Sequence, residues 1–512
     1  MAKRLDIVLV NPGGRRDSYQ RMAKFTAIET PVWAGLIATY LRTKGKGVTL
    51  LDVNALEYQG YSQEQAVSDI ASMNPRLVAV VVYGHNPSST TQTMPAAGEF
   101  CRVMKETRPD IPIIMVGGHA AALPARTLRE ESCDFVCQGE GPVSLLQLVD
   151  ALKAGGEEYK KVGDLWYRQK QKHMPPLFTG IPSQLVWDLD NEMDGMAYDL
   201  MPMSVYKAHD WHCNYNETVR QPYASMYTTL GCPYHCGFCN IQLPYKSGEQ
   251  AKGMPQDVNS YRRWSPQTVV KWIDNLVNKH GVKNIKFADE LFVQHRAHVT
   301  GICKLLAERK YDLNIWCYAR PDSVGNMQDE LKLAGVNWVC LGIEGGNIQS
   351  RMSVDKKFDQ ESIYNVVGHL KNAGIHVLAN YIFGLPDDDL NALQQTLDLA
   401  IDLDTPSSNF YSCMALPGTD LYRAAIADSL KLPDSWSGYS QHSYECLPMP
   451  TKHLSGEEVL WFRDDAWHRY FNDPLYLSKT ERLFGQAAAE YIKEMAREKP
   501  ERKYAKRPAG LV

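Results

Sequence analysis

The strongest constraint on the fold is a set of five continuously apolar runs in the first 155 residues. They read LDIVLVN at 5–11, VTLLDVN at 48–54, LVAVVVYG at 77–84, IPIIMVGG at 111–118 and DFVCQGEG at 134–141. Apolar and polar residues do not alternate within them, so both faces of each strand should be covered, as in a parallel sheet between helices. Residues 1–155 are therefore predicted to form a doubly wound, Rossmann-like α/β domain.

The segment between the first two runs predicts a helix with clear ends. Thr30 can cap its N-terminus, Pro31 suits its first turn, and Gly45 can end it. Several of the apolar runs stop at glycines or polar residues, and that edge of an open α/β sheet is where ligands bind. We expect a bound ligand there. The alternative is that these glycines serve only tight turns.

Composition excludes some classes of partner. The chain has 512 residues and a net charge of -4, from 55 basic and 59 acidic side chains. It lacks the basic excess that nucleic acid or an anionic membrane would select. No apolar run approaches the ~20 residues of a membrane span, and the N-terminus lacks a signal-length apolar segment. A cytoplasmic protein is predicted, whose 12 cysteines are reduced, metal-bound or buried.

A second series of strands and helices occupies residues 225–428. Strands are expected at 225–231, 283–288, 313–318, 336–343, 375–383 and 408–414. Six units are fewer than the eight of a closed barrel, so an open, partial barrel is predicted. Residues 156–224 are expected to bridge the two domains, with a hairpin between 163 and 187. Residues 429–512 are predicted to form a helical C-terminal domain.

Three cysteines lie within eight residues of each other. Cys232, Cys236 and Cys239 have x3 and x2 spacing in a loop after the first strand of the second series. Closely spaced cysteines favour an iron–sulfur cluster, and three thiolates would leave one iron of a four-iron cluster open to a small molecule. Zinc is an alternative, but a closed zinc site usually needs a second Cys/His pair. Buried, inert thiols are the other alternative.

This cysteine motif, with Phe238 before its last cysteine, resembles that of the radical S-adenosylmethionine superfamily. The resemblance covers about residues 220–425 and implies a 4Fe-4S cluster bound by the three cysteines. It also implies S-adenosylmethionine on the fourth iron, with Phe238 beside the adenine. Matching positions at the ends of later strands imply further contacts with S-adenosylmethionine from Asp289, Glu290, Arg320, Gly342, Glu344 and Asn380.

The first domain resembles the cobalamin-binding domain of a class that includes methyltransferases and the anaerobic magnesium-protoporphyrin ester cyclase. Residues 116–119 and 134–141 carry this resemblance. It implies a bound cobalamin, with contacts expected from Asn11, Tyr83, Gly84, Ser88, Ser89, Gly117, Gly118 and Gly139. The Asp-x-His-x-x-Gly signature is absent, so neither His85 nor His119 is proposed as a cobalt ligand, and the nucleotide tail is expected to be displaced. A degenerate domain that binds nothing is the alternative.

The two resemblances together imply a cobalamin-dependent radical S-adenosylmethionine methyltransferase. Its chemistry would use a 5′-deoxyadenosyl radical to activate an unactivated carbon, and methylcobalamin to methylate it. A cyclase or ring-rearranging enzyme without net methylation is an alternative, and a non-catalytic corrin and iron–sulfur sensor or electron-transfer subunit is another. The expected partners are a small-molecule or natural-product substrate and a flavodoxin- or ferredoxin-type electron donor. No residue is identified as catalytic.

Two further groups of residues are candidates for ligand contact. The segment His209-Asp-Trp-His-Cys213 either contacts the corrin or substrate or serves only as a bridge. Aromatic side chains near the C-terminus could line a pocket, although core packing is the usual role of such residues: Trp436, Tyr439, His442, Tyr444, Trp461, Trp467 and Tyr470. Cys413 and Cys446 could quench radicals, but packing is the more usual role of buried cysteines.

Overall fold

The computed structural model describes residues 4–83, 87–169 and 174–509. Its first domain contains a seven-stranded sheet of order β2-β1-β3-β4-β5-β6-β7. The strands are β1 (Ile7–Asn11), β2 (Val48–Asp52), β3 (Leu77–Val82), β4 (Ile113–Gly117), β5 (Phe135–Cys137), β6 (Leu165–Tyr167) and β7 (Leu177–Phe178). The first five are parallel, and the last two form an antiparallel hairpin at the edge. The expected hairpin thus extends this sheet beyond residue 155.

Helices cover both faces of this sheet. They are α1 (Arg15–Tyr19), α2 (Val32–Thr43), α3 (Val53–Leu56), α4 (Gln63–Met73), α5 (Pro87–Gln92), α6 (Met94–Thr107), α7 (Gly118–Ala122), α8 (Pro124–Glu130) and α9 (Pro142–Ala154). The doubly wound prediction is confirmed. The order 2-1-3-4-5 places the topological switch between β1 and β3, and ligands of such sheets bind in the crevice at that point.

The start of α2 differs from the prediction that Thr30 caps it. The Thr30 hydroxyl instead donates to the Ser225 carbonyl at 3.0 Å and accepts from the Ser225 N–H at 2.9 Å. The capping prediction is wrong because a tertiary contact with a strand of the second domain takes the hydroxyl. Gly45 follows the helix end as expected, with a left-handed φ of +75° that suits glycine.

The bridge between the domains lies directly on α2. It contains one short helix, α10 (Leu189–Glu192), and several 3-10 turns. A Cβ atom at Gly35 would lie 2.2 Å from the Met196 carbonyl oxygen, so only glycine allows this approach. The Tyr206 hydroxyl of the bridge donates to Asp52 at 2.8 Å. The bridge is therefore a packed part of the structure.

The second domain is an open barrel of six parallel strands in the order β15-β14-β13-β12-β11-β8. These strands are β8 (Tyr223–Met226), β11 (Asn284–Phe287), β12 (Asn314–Ala319), β13 (Val336–Glu344), β14 (His376–Phe383) and β15 (Ser407–Ser412). A separate antiparallel pair, β9 (Thr229–Leu230) and β10 (Arg262–Arg263), lies beside it. The predicted partial barrel is confirmed.

The barrel helices alternate with its strands, and three more helices follow. They are α11 (Lys246–Ala251), α12 (Pro266–His280), α13 (Arg296–Arg309), α14 (Gln328–Leu333), α15 (Ile348–Met352), α16 (Gln360–Asn372), α17 (Leu390–Leu403), α18 (Asp420–Ala427), α19 (Gly456–Phe471), α20 (Pro474–Phe484) and α21 (Gln486–Arg497). One apolar core runs from β1 and α2 through the bridge into the barrel and the C-terminal helices. Among the described residues, no helix is long and apolar enough to cross a membrane.

Candidate functional site

A cavity of about 360 Å³ lies where three parts of the chain meet. The crevice between β1 and β3 forms one wall, the inner face of the barrel forms another, and the C-terminal segment closes it. Aromatic and polar side chains from all three parts line it, including Asn11, Arg15, Tyr83, Lys286, Trp316, Tyr318, Cys340, Asn409, Tyr411, His442, Arg463 and Trp467. A ligand in this cavity would therefore contact both α/β domains at once.

Two of the predicted cobalamin contacts line the cavity. The Asn11 side chain, at the end of β1, donates to Asp52 at 2.7 Å. Tyr83 stacks on Trp33 with ring centres 4.4 Å apart, and its hydroxyl donates to the Glu140 carbonyl at 3.2 Å. These contacts hold both side chains at the switch point of the sheet. Gly84 lies outside the described residues, as do the side chains of Ser88 and Ser89 in α5.

The three glycines predicted to contact cobalamin are closely packed by protein atoms, and none of them lines the cavity. A Cβ atom at Gly117 would lie 2.0 Å from the Val82 carbonyl oxygen, and one at Gly139 would lie 2.2 Å from the Asp164 carboxylate. A Cβ at Gly118 would lie 3.2 Å from Thr90. Close packing alone would explain glycine at positions 117 and 139, and the contact of all three glycines with cobalamin stays a prediction.

His119 also faces protein and not the cavity. Its Nδ1 lies 3.2 Å from the Thr91 hydroxyl, and its ring packs edge-on against Trp436 at 4.4 Å. Burial lowers the pKa of His119 to about 3, so the imidazole is neutral.

The cysteine loop differs from every other cysteine of the chain in exposure. All twelve cysteines are unpaired, and nine are buried, whereas Cys232, Cys236 and Cys239 are half-buried. The described residues contain no group of three His, Cys, Asp or Glu side chains arranged to hold a single metal ion. A four-iron cluster differs from a single ion, because each thiolate binds a different iron atom of the cluster. Three partly accessible thiols on one loop suit that donor set.

A network that sequence reasoning missed holds the start of this loop. The Cys232 N–H donates to the Gln242 side-chain oxygen at 3.0 Å, and the Gln242 amide donates to the Ser260 carbonyl at 3.1 Å. Glu249 accepts from the Ser260 N–H at 2.6 Å. A Cβ at Gly231 would lie 2.3 Å from the Ser260 carbonyl oxygen. These residues are far apart in sequence and form no local motif.

The acidic pair after β11 divides into two roles. Asp289 is fully buried, and one of its oxygens accepts from the hydroxyls of Thr228 at 2.8 Å and Thr229 at 2.6 Å. Asp289 therefore anchors the chain between β8 and β9. The Glu290 Oε2 atom and the second Asp289 oxygen, Oδ2, have no partner among the described residues, and burial raises the pKa of Asp289 to about 6 and that of Glu290 to about 8. A cationic ligand group is the natural partner for such a carboxylate.

Other predicted S-adenosylmethionine contacts lie beside the cysteine loop. The Arg320 guanidinium pairs with Asp322 at 2.9 Å, lies over the Tyr234 ring and comes within 3.9 Å of the Cys236 sulfur. Glu344 forms a buried ion pair with Lys356, a residue that sequence reasoning missed.

Two further predicted contacts, Gly342 and Phe238, lie around the Glu344–Lys356 ion pair. Lys356 donates to the Gly342 carbonyl at 3.3 Å and lies 5.9 Å from the centre of the Phe238 ring. Glu344 has a left-handed φ of +68°, a strained conformation for a residue other than glycine. Asn380 lies further along the barrel wall and donates to the Cys340 sulfur at 2.9 Å.

We expect Glu344→Gln to weaken S-adenosylmethionine binding by about tenfold or more, because the Lys356 pair loses its charge while the side chain keeps its size. Equilibrium dialysis of the cluster-loaded protein measures this. The iron content should not change. Glu361→Gln, at an exposed position of α16, is the matched control. Equal affinities of Glu344→Gln and Glu361→Gln for S-adenosylmethionine would show that Glu344 does not contribute to its binding.

The bridge and the C-terminal segment contribute part of what the sequence suggested. Residues 209–211 line the cavity. The His212 Nε2–H donates to the Asn314 carbonyl at 3.0 Å, and the Cys213 thiol donates to the Asn284 side-chain oxygen at 3.3 Å. The segment therefore both lines the cavity and bridges the domains.

Three of the seven C-terminal aromatic side chains line the cavity, namely Tyr439, His442 and Trp467. The other four, Trp436, Tyr444, Trp461 and Tyr470, lie outside it. Cys413 and Cys446 are buried in apolar clusters, which favours packing over radical quenching. Cys340, on the barrel wall, is the cysteine among the cavity-lining residues, and no sequence motif marks it.

A buried carboxyl at the same sheet edge makes stability depend on pH. Burial raises the pKa of Asp52 from 3.8 to about 6. The folded protein therefore holds this proton more tightly than the unfolded chain, and the resulting stability is lost as pH rises from about 4 to about 6. Over this interval we expect the free energy of unfolding of the wild type to fall by about 3 kcal/mol more than that of Asp52→Asn, as measured by urea unfolding. The exposed Asp17→Asn control should follow the wild type; an Asp52→Asn curve parallel to the wild type would contradict the assignment.

Comparison with known families agrees with this architecture. Residues 21–149 match the model of the B12 binding domain, and residues 226–400 match that of the Radical SAM superfamily. The chain belongs to the cobalamin-binding-domain radical S-adenosylmethionine enzymes. Its cofactors are a 4Fe-4S cluster, S-adenosylmethionine and cobalamin.

Several curated proteins are similar along most of their length. An uncharacterized methyltransferase of Pyrococcus horikoshii is 26% identical over 82% of this chain and 84% of its own. The anaerobic magnesium-protoporphyrin IX monomethyl ester cyclase of Rubrivivax gelatinosus is 24% identical over 87% of this chain and 74% of its own. The cytidylyl-2-hydroxyethylphosphonate methyltransferase of Streptomyces wedmorensis is 20% identical, over 79% of each chain.

Two solved structures share the fold. The radical S-adenosylmethionine methyltransferase TsrM from Kitasatospora setae has a TM-score of 0.67 and 16% identity, over 97% of this chain and 99% of its own. The cobalamin-dependent S-adenosylmethionine radical enzyme OxsB has a TM-score of 0.65 and 15% identity, over 96% of this chain and 71% of its own. At these identities the likeness concerns the fold.

Proposed function

We propose that this enzyme is a C-methyltransferase that methylates an unactivated carbon of a small molecule bound in the cavity. The observation that carries the proposal is the shared wall of that cavity: the switch point of the first sheet faces the inside of the barrel. A substrate between them would meet both cofactor domains. When bound, the cofactors supply a 5′-deoxyadenosyl radical and a transferable methyl group.

In this proposal the cofactor contacts come from the predicted residues. Cys232, Cys236 and Cys239 hold the cluster. Glu290, with its unpartnered oxygen, and the Glu344 carboxylate beside the loop bind S-adenosylmethionine. Asn11 and Tyr83 contact the corrin from the sheet edge.

The cavity walls are suited to holding a substrate away from water. Lys286 is paired with Glu29 at 2.9 Å and lies over the Trp316 ring. Burial lowers the pKa values of His209 and His442 to about 3, so both rings are neutral. These side chains therefore bind and orient a substrate more readily than they transfer protons to it. Exclusion of water also protects a reactive radical.

The names of the relatives support methylation. The Pyrococcus horikoshii and Streptomyces wedmorensis proteins are named as methyltransferases. Cyclisation is the second candidate, since the Rubrivivax gelatinosus cyclase matches 87% of this chain. Reduction of the cluster requires an electron donor, for which we propose a flavodoxin or ferredoxin.

The decisive experiment follows an isotopic label. The reconstituted, reduced enzyme is incubated with S-adenosylmethionine carrying a deuterated methyl group and with a small-molecule extract of its source cells. We expect 5′-deoxyadenosine and one labelled product in the mass spectrum. A new unlabelled product would instead support cyclisation. Absence of any S-adenosylmethionine cleavage would support a non-catalytic role. The Cys236→Ala protein serves as the control.

A further inference from the structure

Arg15 lies at the ligand-binding edge of the first sheet, and its position is fixed by the turn before it. Gly14, between β1 and α1, has a φ of +98°, and a Cβ there would lie 2.4 Å from the Ala96 side chain. The Gly14 N–H donates to Glu57 at 3.1 Å. This turn directs α1 so that Arg15 lines the cavity near Asn11.

The guanidinium of Arg15 is buried without a counterion. The residue is 7% exposed. Its Nη2 donates to the Ala23 carbonyl at 2.9 Å, and the group lies 4.7 Å from the centre of the Tyr58 ring. Among the described residues its Nη1 has no hydrogen-bond partner, and Glu29, the carboxylate whose charge acts on the guanidinium, forms no ion pair with it. Burial consequently lowers the pKa of Arg15.

The other cationic side chains of the cavity each have a carboxylate partner. Lys286 pairs with Glu29 at 2.9 Å, and Arg463 pairs at 2.8 Å with Asp464, which it shares with Arg502. Arg15 thus differs from both in the described structure. An unpaired buried charge is unfavourable, and a guanidinium is shaped to bind the two oxygens of a phosphate or carboxylate.

We propose that Arg15 binds an anionic oxygen group, a phosphate or a carboxylate, of a ligand held in the cavity. Two sources carry this chemistry. The phosphodiester of the cobalamin nucleotide tail is the first, and it is favoured by the position of Arg15 at the end of β1. An anionic group on the substrate is the second, and that part rests on the proposed function.

The first arm of the test compares two corrinoids. Hydroxocobalamin carries the nucleotide phosphate, whereas dicyanocobinamide lacks the nucleotide and its phosphate. Each is titrated into the full-length, cluster-loaded protein, followed by absorbance. We expect Arg15→Met to weaken hydroxocobalamin binding by about tenfold or more and to leave dicyanocobinamide binding unchanged. Arg15→Lys should recover part of the loss. Arg16→Met, a neighbouring exposed position, is the matched control.

The second arm separates the two sources. If Arg15→Met binds both corrinoids like the wild type, inorganic phosphate is titrated into the cobalamin-loaded protein by calorimetry. Phosphate binding that disappears in Arg15→Met would assign the anion to the substrate. An equal loss for both corrinoids, or no Arg15-dependent binding in either arm, overturns the proposal. Unchanged dicyanocobinamide binding also shows that the variant is folded. Neither arm needs turnover, so its result is independent of the isotopic test of methylation.

Discussion

The Cys236→Ala variant is expected to lose its 4Fe-4S cluster and with it all cleavage of S-adenosylmethionine. Cys236 is the middle thiol of the loop, and its sulfur lies 3.9 Å from the Arg320 guanidinium. With two thiolates left, the cluster has lost one of its protein ligands, and no other partly exposed cysteine exists to replace it. Iron and sulfide should fall from about four of each per chain to near zero. Colorimetric assays of both, with the absorbance near 400 nm, which is set by the cofactor, measure this.

A matched substitution elsewhere separates this effect from general damage. Cys303 is buried in α13, so Cys303→Ala removes a thiol and some packing but no candidate ligand. It should retain the full iron and sulfide content. Cluster retention in Cys236→Ala, or equal loss in the two variants, would show that the loop does not hold the cluster in the way proposed.

The free energy of unfolding of the Glu140→Ala variant is expected to be about 3–5 kcal/mol lower than that of the wild type. Glu140, after β5, pairs with Arg262 at 2.7 Å, and both side chains are almost fully buried. Arg262 also donates to the Val186 carbonyl at 2.6 Å, and the Val186 N–H donates to Glu140 at 3.1 Å. Removal of the carboxylate leaves a buried guanidinium without its counterion, and that accounts for the large loss.

This pair connects the two cofactor domains. In the antiparallel ladder of β9 and β10, Arg262 lies opposite Leu230. Leu230 is two residues before the cluster ligand candidate Cys232. Urea unfolding measures the loss of stability. Glu140→Ala combined with Arg262→Met should be less damaging than Glu140→Ala alone, because no buried charge remains. Glu99→Ala, which breaks an exposed pair with Arg102, should change stability by less than about 1 kcal/mol. Equal losses for Glu140→Ala and Glu99→Ala would contradict the argument.

Local patterns were sufficient to predict the order of the strands and helices. Runs such as Leu77–Val82 are apolar on both faces, and that pattern has few solutions other than a buried parallel strand. The three thiols of the loop lie within eight residues, so their spacing can be recognised without a structure. By contrast, Gln242 and Lys356 carry no recognisable signal, because their partners, Cys232 and Glu344, are 10 and 12 residues away.

Glycines show the limit of the local patterns. A glycine at a strand end is consistent both with a nearby ligand and with a nearby backbone, and the sequence does not distinguish them. The structure places the Val82 carbonyl against Gly117 and the Asp164 carboxylate against Gly139. Thr30 is a similar case, since its hydroxyl suits a helix cap but bonds Ser225 of the barrel instead.

The two α/β domains, the thiol loop and the family resemblance could all be recognised in the sequence, because hydrophobic periodicity and ligand spacing are short-range properties. Which side chains share the cavity depends on long-range packing and is visible only in the folded structure. Asn11, Arg15, Lys286 and His442 are distant in the chain, and they meet because one continuous apolar core packs the first sheet against the barrel. The environment of Arg15 follows from the same packing, since burial of the guanidinium and the lack of a partner for its Nη1 among the described residues are properties of the whole fold.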